Sequence, residues 1–330
     1  MSRLSLKDVI LLPYTPDLTQ VGIAHALQAL PTTAALPRPE VYQTLRCAVM
    51  EQAAELGFRR QLVTSQVPHQ LVTDSHFASS GKTCVRIGGR ICDVTSSALV
   101  QKTKIRRLHR DPASLLSNLA ILSREALATQ PRNDTDLLIF CFVTALLAAS
   151  LSASKQAALV GLPVSLVFPL PVNWSGRSNR PNLGKLVLKS ESTQPVHLSL
   201  IGQAGDRSPL SEEVTLTPGL KVEGVNQYHS LTYLKLEQLP AGRLAIRSTG
   251  LRKTLLISPF QWGNIWVYGM QIYLAGWITR EEFSRCASLH SVIHEAWQPV
   301  SPGSKYMALP VSELHPLEEL FSKARQWAER

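Results

Sequence analysis

The sequence predicts an α/β N-terminal domain over residues 1–172 and a mainly antiparallel β-sandwich or barrel with terminal helices over 184–330, joined by a polar linker at 173–183. Three observations predict this. A length of 330 residues exceeds the roughly 250 that one core serves well. Helical and strand-like spacings alternate in the first half, whereas apolar–polar alternation recurs at turn-separated intervals in the second. The hydrophobic fraction of 45% with 18% charged residues belongs to a folded globular chain and excludes wholesale disorder.

Val9 to Pro13 is the apolar stretch of the N-terminus, too short and too broken by proline for a secretory signal. Val41, Leu45, Val49, Ala53 and Leu56 then fall at helical spacing within 39–62, with Pro39 near the start. Glu51 and Glu55 share one face of that helix, a turn from Arg59. KTCVRIGGRICDVTSS, 82–97, reads as two strands turning at Gly88-Gly89. Asp111-Pro112 supplies a cap and a first helical proline, predicting a helix to about Ala128. LLIFCFVTALLAASLSAS, 137–154, carries no charge and touches the lower limit for a membrane span. Its β-propensive start and Ser/Ala-rich end fit a buried strand leading into a helix, so no membrane span is expected.

The stretch 173–184, NWSGRSNRPNLG, has linker composition. Beyond it, LGKLVLKSES, PVHLSLIGQ, EEVTLTPG, HSLTYLKLEQL, GRLAIRS and KTLLISPF each read as a strand. Phe260, Trp262, Trp266, Tyr268, Tyr273 and Trp277 crowd a segment without charge, which predicts core packing rather than base stacking. Thr279 and Glu282 form a capping box. Leu317, Leu320, Phe321, Ala324 and Trp327 mark the inward face of a last helix.

The net charge of +10 is unevenly spread. Between residues 82 and 110, eight Lys or Arg stand against Asp93 alone. Such a surface attracts phosphates through a salt-sensitive field, or is a solvated face. Five cysteines, at 47, 84, 92, 141 and 286, form neither CxxC pairs nor a zinc-spaced cluster, and the odd count argues against a disulfide framework. A reduced, cytoplasmic setting is expected. The Gly88-Gly89 turn allows Cys84 to face Cys92, most simply as two buried thiols. No GxSxG, GxxxxGK[ST] or GxGxxG occurs, and His290 with His294 lacks the glutamate placement of HExxH.

A helix bearing an acid, a hairpin whose second strand carries Asp93, then a helix and a buried strand resembles the core of the PD-(D/E)xK restriction-endonuclease-like nucleases, over about residues 39–145. The resemblance implies that two acids hold Mg²⁺ at the scissile phosphate and that a lysine orients the attacking water. Asp93 matches the second acid, and Glu51 or Glu55 the helix acid; these three are the implied catalytic and metal residues. Thr95 occupies the lysine position, and Thr83, Cys84 and Arg86 stand where the first aspartate belongs. Lys102 or Lys104 could take the lysine role; otherwise cleavage is lost and no cofactor is needed. A core of this kind still binds nucleic acid, with DNA expected, through Lys102, Lys104, Arg106, Arg107 and Arg110. Two alternatives stay open: Asp93 as a surface acid paired with Arg86 or Arg90, and a non-enzymatic scaffold whose β domain docks a protein partner.

Overall fold

The structure, a computed structural model, describes residues 4–29, 38–73, 83–124, 127, 133–171, 174, 182–251, 254–290 and 305–328. Its first elements are β1 (Ile10–Leu12), α1 (Pro16–Ala29), α2 (Arg38–Thr64), β2 (Gln70–Thr73), β3 (Thr83–Ile87), β4 (Arg90–Leu99), α3 (Lys102–Arg110), β5 (Leu119–Ser123) and β6 (Leu137–Leu147). Next come α4 (Leu151–Leu159), β7 (Leu166–Pro169), β8 (Leu186–Ser190), β9 (Val196–Gln203), β10 (Pro209–Leu216), β11 (Lys221–Glu223), β12 (Ser230–Leu236), β13 (Leu244–Ser248) and β14 (Thr254–Ile257). The chain closes with β15 (Gly263–Asn264), β16 (Val267–Thr279), α5 (Arg280–Cys286), β17 (Ser288–His290), β18 (Tyr306–Pro310) and α6 (Leu317–Ala328). Contacts divide it into two units: residues 1–22, 50–146 and 268–330, and residues 23–49 and 147–267.

The first unit carries a six-stranded sheet in the order β1-β16-β6-β4-β3-β2 and a three-stranded sheet β17-β18-β5. β2, β3 and β4 form an antiparallel meander, and β4 then pairs with β6 in parallel. Gly88 and Gly89 turn the hairpin with φ of 54° and 80°, a left-handed pair that glycine adopts without a Cβ penalty. β6 is buried along its first nine residues, as expected of a strand covered on both faces. Asp136, itself buried, stands at the entry to β6 and accepts hydrogen bonds from the N–H groups of Ile91 and Asn133, each at 3.0 Å. This carboxylate ties the start of β4 to the start of β6.

Two expectations are corrected here. The predicted helix over 111–128 is only a 3₁₀ turn, Pro112–Leu115, followed by β5. β5 is strand because β18, nearly two hundred residues later, pairs with it from Tyr306↔Ser123 to Pro310↔Leu119; tertiary pairing overrides the local cap. Cys92 is buried opposite Val85 rather than Cys84. Elsewhere α2, the hairpin, β6, α5 and α6 stand where the sequence places them, with the Thr279–Glu282 capping box formed.

The second unit holds two antiparallel sheets, β10-β9-β12-β7-β15 and β11-β8-β13-β14. Both contribute to one core: Phe168, Leu198, Leu200 and Leu234 from the first, Leu188, Ile246 and Ile257 from the second. The sheets remain open rather than closing into a barrel. β7 lies upstream of the predicted linker yet pairs with β12 in this unit. Buried Arg46 on α2 donates from Nε and Nη2 to the Asn264 carbonyl at 2.9 and 2.8 Å, and the Tyr42 hydroxyl donates to the Gln261 carbonyl at 2.7 Å. Of the aromatic segment, Trp262, Trp266, Tyr268, Tyr273 and Trp277 are buried, while Phe260 is 76% exposed. No helix among the described residues is long and apolar enough to cross a membrane.

Candidate nucleic-acid interface

The basic run 102–110 is itself a helix, α3, which begins directly after β4. Only Ile105 and Leu108 are buried, and they anchor the helix in a core with Leu99, Leu138, Phe140 and Phe142. Lys102, Arg106, Arg107 and Arg110 are exposed and Lys104 is half-buried. Arg107, His109 and Arg110 in the last turn complement the helix dipole. Lys102 and Lys104 sit in the first turn, where no acid is present and cations oppose that dipole. Among the described residues, no ion pair involves Lys102, Arg106, Arg107 or Arg110. Helix energetics therefore favours the cations of the last turn but not Lys102, for which the described residues supply no acid.

The register of β4 decides where Asp93 points. β4 and β6 pair in parallel without interruption from Cys92↔Leu137 to Leu99↔Thr144, so Asp93 and Thr95 share a sheet face with Leu138 and Phe140. That face carries the core into which α3 inserts Ile105 and Leu108. The C-terminal half of α2 lies on the other face: a Cβ at its Gly57 would meet Ile272 Cδ1 at 3.0 Å and Leu12 Cδ1 at 3.1 Å. Ile272 alternates along β16 with Tyr273 and Ala275, both members of the α3-side core.

Asp93 thus projects toward the α3 side of the sheet, while Glu51 and Glu55 belong to the helix on the opposite side. Glu55 lies 3.8 Å from Arg59, one turn along α2. Among the described residues, no three His, Cys, Asp or Glu side chains group as a metal site. The expected set of Asp93, Glu51 and Glu55 does not converge, because the period-two alternation of β4 sends its acid away from α2. On the face that Asp93 does share, β3 contributes Arg86, which pairs with Ile91 of β4. The Arg86 Nε is buried and without a hydrogen-bond partner among the described residues. One carboxylate, the Thr95 hydroxyl and a guanidinium make a poor donor set for Mg²⁺, which favours several oxygens and no cation.

Of the other candidate residues, the side chains of Thr83 and Cys84 and the whole of Lys82 and His294 lie outside the described residues. His109 is absent from any count of Lys and Arg, yet it is exposed on the same helix. No protein-family model matches the chain, and neither the curated proteins nor the solved structures contain a match.

Proposed function

We propose that this chain binds nucleic acid through α3, on a core that resembles the restriction-endonuclease-like nucleases, and that metal-dependent cleavage is lost or altered. The element order supports the resemblance: helix α2, the antiparallel strands β2, β3 and β4, helix α3, and, after the intervening β5 of a separate sheet, β6 parallel to β4. The observation that carries the binding claim is α3 itself. Five cations project from one short helix whose only buried side chains are Ile105 and Leu108, and its first turn places charge where helix stability disfavours it. Cations presented in this way position a phosphate backbone rather than read bases. The loss of cleavage rests on Thr95 at the lysine position and on the separation of Asp93 from the α2 acids.

The test is an electrophoretic or anisotropy measurement with labelled DNA and RNA. The Arg106→Ala/Arg107→Ala double variant weakens binding about tenfold or more at fixed low salt; unchanged binding contradicts the reading. A second reading, protein docking by the second unit, draws on Phe260 and Leu256, exposed by 76% and 56%. Phe260→Ser in the full chain would then release a protein partner while leaving nucleic-acid binding intact.

A further inference from the structure

A cleft of about 400 Å³ opens at the C-terminal end of α3. Val9, Leu11, Leu108 and Pro112 line it with apolar surface, and Tyr273, Gln271 and His109 supply its polar groups. Tyr273 is 8% exposed, whereas Leu11 is 50% exposed. The polar groups are arranged in one direction. Gln271 Oε1 accepts from the Tyr273 hydroxyl at 3.2 Å and lies 2.9 Å from His109 Nε2, which donates to it in the Nε2–H tautomer. With Oε1 accepting twice, the Gln271 amide is fixed in orientation, and its two N–H groups have no protein acceptor among the described residues.

We infer that this cleft takes one unstacked nucleobase of a single-stranded nucleic acid whose phosphates run along α3. A base is flat and apolar on its faces and carries carbonyl acceptors on its edge, which matches an apolar lining with a pair of amide donors in it. Lys102, Arg106 and Arg110 repeat at i, i+4 and i+8 on α3 and form one stripe. His109 is three residues beyond Arg106, so the imidazole that anchors Gln271 flanks this stripe. A strand tracking the cations therefore brings its bases to the mouth of the cleft. In a duplex every base is paired and stacked and none can enter. The inference rests on the proposed role of α3 and adds the form of the ligand, single-stranded over double-stranded.

The experiment measures affinity of the full chain for a labelled single-stranded DNA, a single-stranded RNA of the same sequence, and the matched DNA duplex, all at one salt concentration. A single strand binds about tenfold more tightly than the duplex. Gln271→Leu removes the donors and lowers single-strand affinity about fivefold, with the duplex unchanged. His109→Ala, a change at an exposed position on the helix, releases the Gln271 amide and acts in the same direction, which keeps the test open should Gln271→Leu fold poorly. Equal affinity for single strand and duplex overturns the inference, as does a single-strand preference that survives both variants. If these variants have no effect while Arg106→Ala/Arg107→Ala weakens every ligand, the cleft is not the base site and the role of α3 stands. If no nucleic acid binds at all, both fall. The RNA arm shows whether the sugar matters, since a 2′-hydroxyl contact would separate the two single strands.

Discussion

The guanidinium of Arg90 lies 4.3 Å from the centre of the Trp327 ring. The sequence offers Arg90 as one of two partners for Asp93 as a surface acid, yet Arg90 alternates along β4 to the opposite face. Trp327 also closes over the hairpin turn: a Cβ at Gly88 would come within 2.3 Å of its ring. The terminal helix α6 is thereby clamped to the turn of the β3–β4 hairpin.

Trp327→Ala removes the ring that covers the turn and the partner of Arg90. It should cost about 2 kcal/mol, below the roughly 3–5 kcal/mol of a fully buried aromatic because Trp327 is only half-buried. Gly88→Val should cost at least as much, since it combines a positive φ of 54° with that clash. Urea unfolding of both variants checks this, with a lower midpoint expected in each.

Asp136→Ala leaves the N–H groups of Ile91 and Asn133 without their acceptor beside a buried strand. The expected loss is about 2–3 kcal/mol. Equilibrium denaturation measures it, and hydrogen exchange at Ile91 should rise with it. Asp136→Asn, which keeps an acceptor oxygen, should recover part of the loss.

Glu282 sets a pH dependence. Burial pushes its carboxyl up, but hydrogen bonds from the Thr279 hydroxyl and N–H, at 2.9 and 3.2 Å, and His315 at 3.5 Å outweigh burial and hold it below the ordinary 4.5. The folded carboxyl is thus a stronger acid than the unfolded one. Its contribution to stability is complete above 4.5 and is lost as pH falls through the lower folded value. Glu282→Gln should flatten the decline in stability below about pH 4.5, read from urea midpoints across a pH series.

If cleavage is lost, neither Mg²⁺ nor Mn²⁺ supports nicking of plasmid or oligonucleotide substrates, and Asp93→Ala leaves nucleic-acid binding unchanged. Metal-dependent nicking that Asp93→Ala abolishes would show instead that the lysine role has moved, with Lys102 and Lys104 the residues to replace next.

The elements legible in the sequence are those whose own periodicity decides them. α2, the Gly-Gly hairpin, β6, the strands β8, β9, β10, β12, β13 and β14, the capped α5 and the amphipathic α6 all carry their pattern locally. The helix in the basic run was hidden because Ile105 and Leu108 are too few to show a period. β5 reads as part of a helix in the sequence because its partner β18 lies far along the chain. The pairing of β1 with β16 from Ile10↔Leu274 is equally remote. The candidate site divides in the same way. The five cations are visible as residues, but the face on which Asp93 and Thr95 stand depends on the β4–β6 register, which local sequence does not encode. Gln271 and His109 meet only because β16 and α3 do, so neither stood out beforehand.

The central claim is phosphate recognition by α3, and the dependence of binding on salt tests it most directly. With about four phosphates engaged, log K against log salt should fall with a slope of about −3 to −4 for a duplex, a loss near a hundredfold between about 50 and 200 mM salt. Arg106→Ala/Arg107→Ala should make that slope shallower by about two. Binding that is undetectable at low salt, or that does not change with salt, contradicts the account.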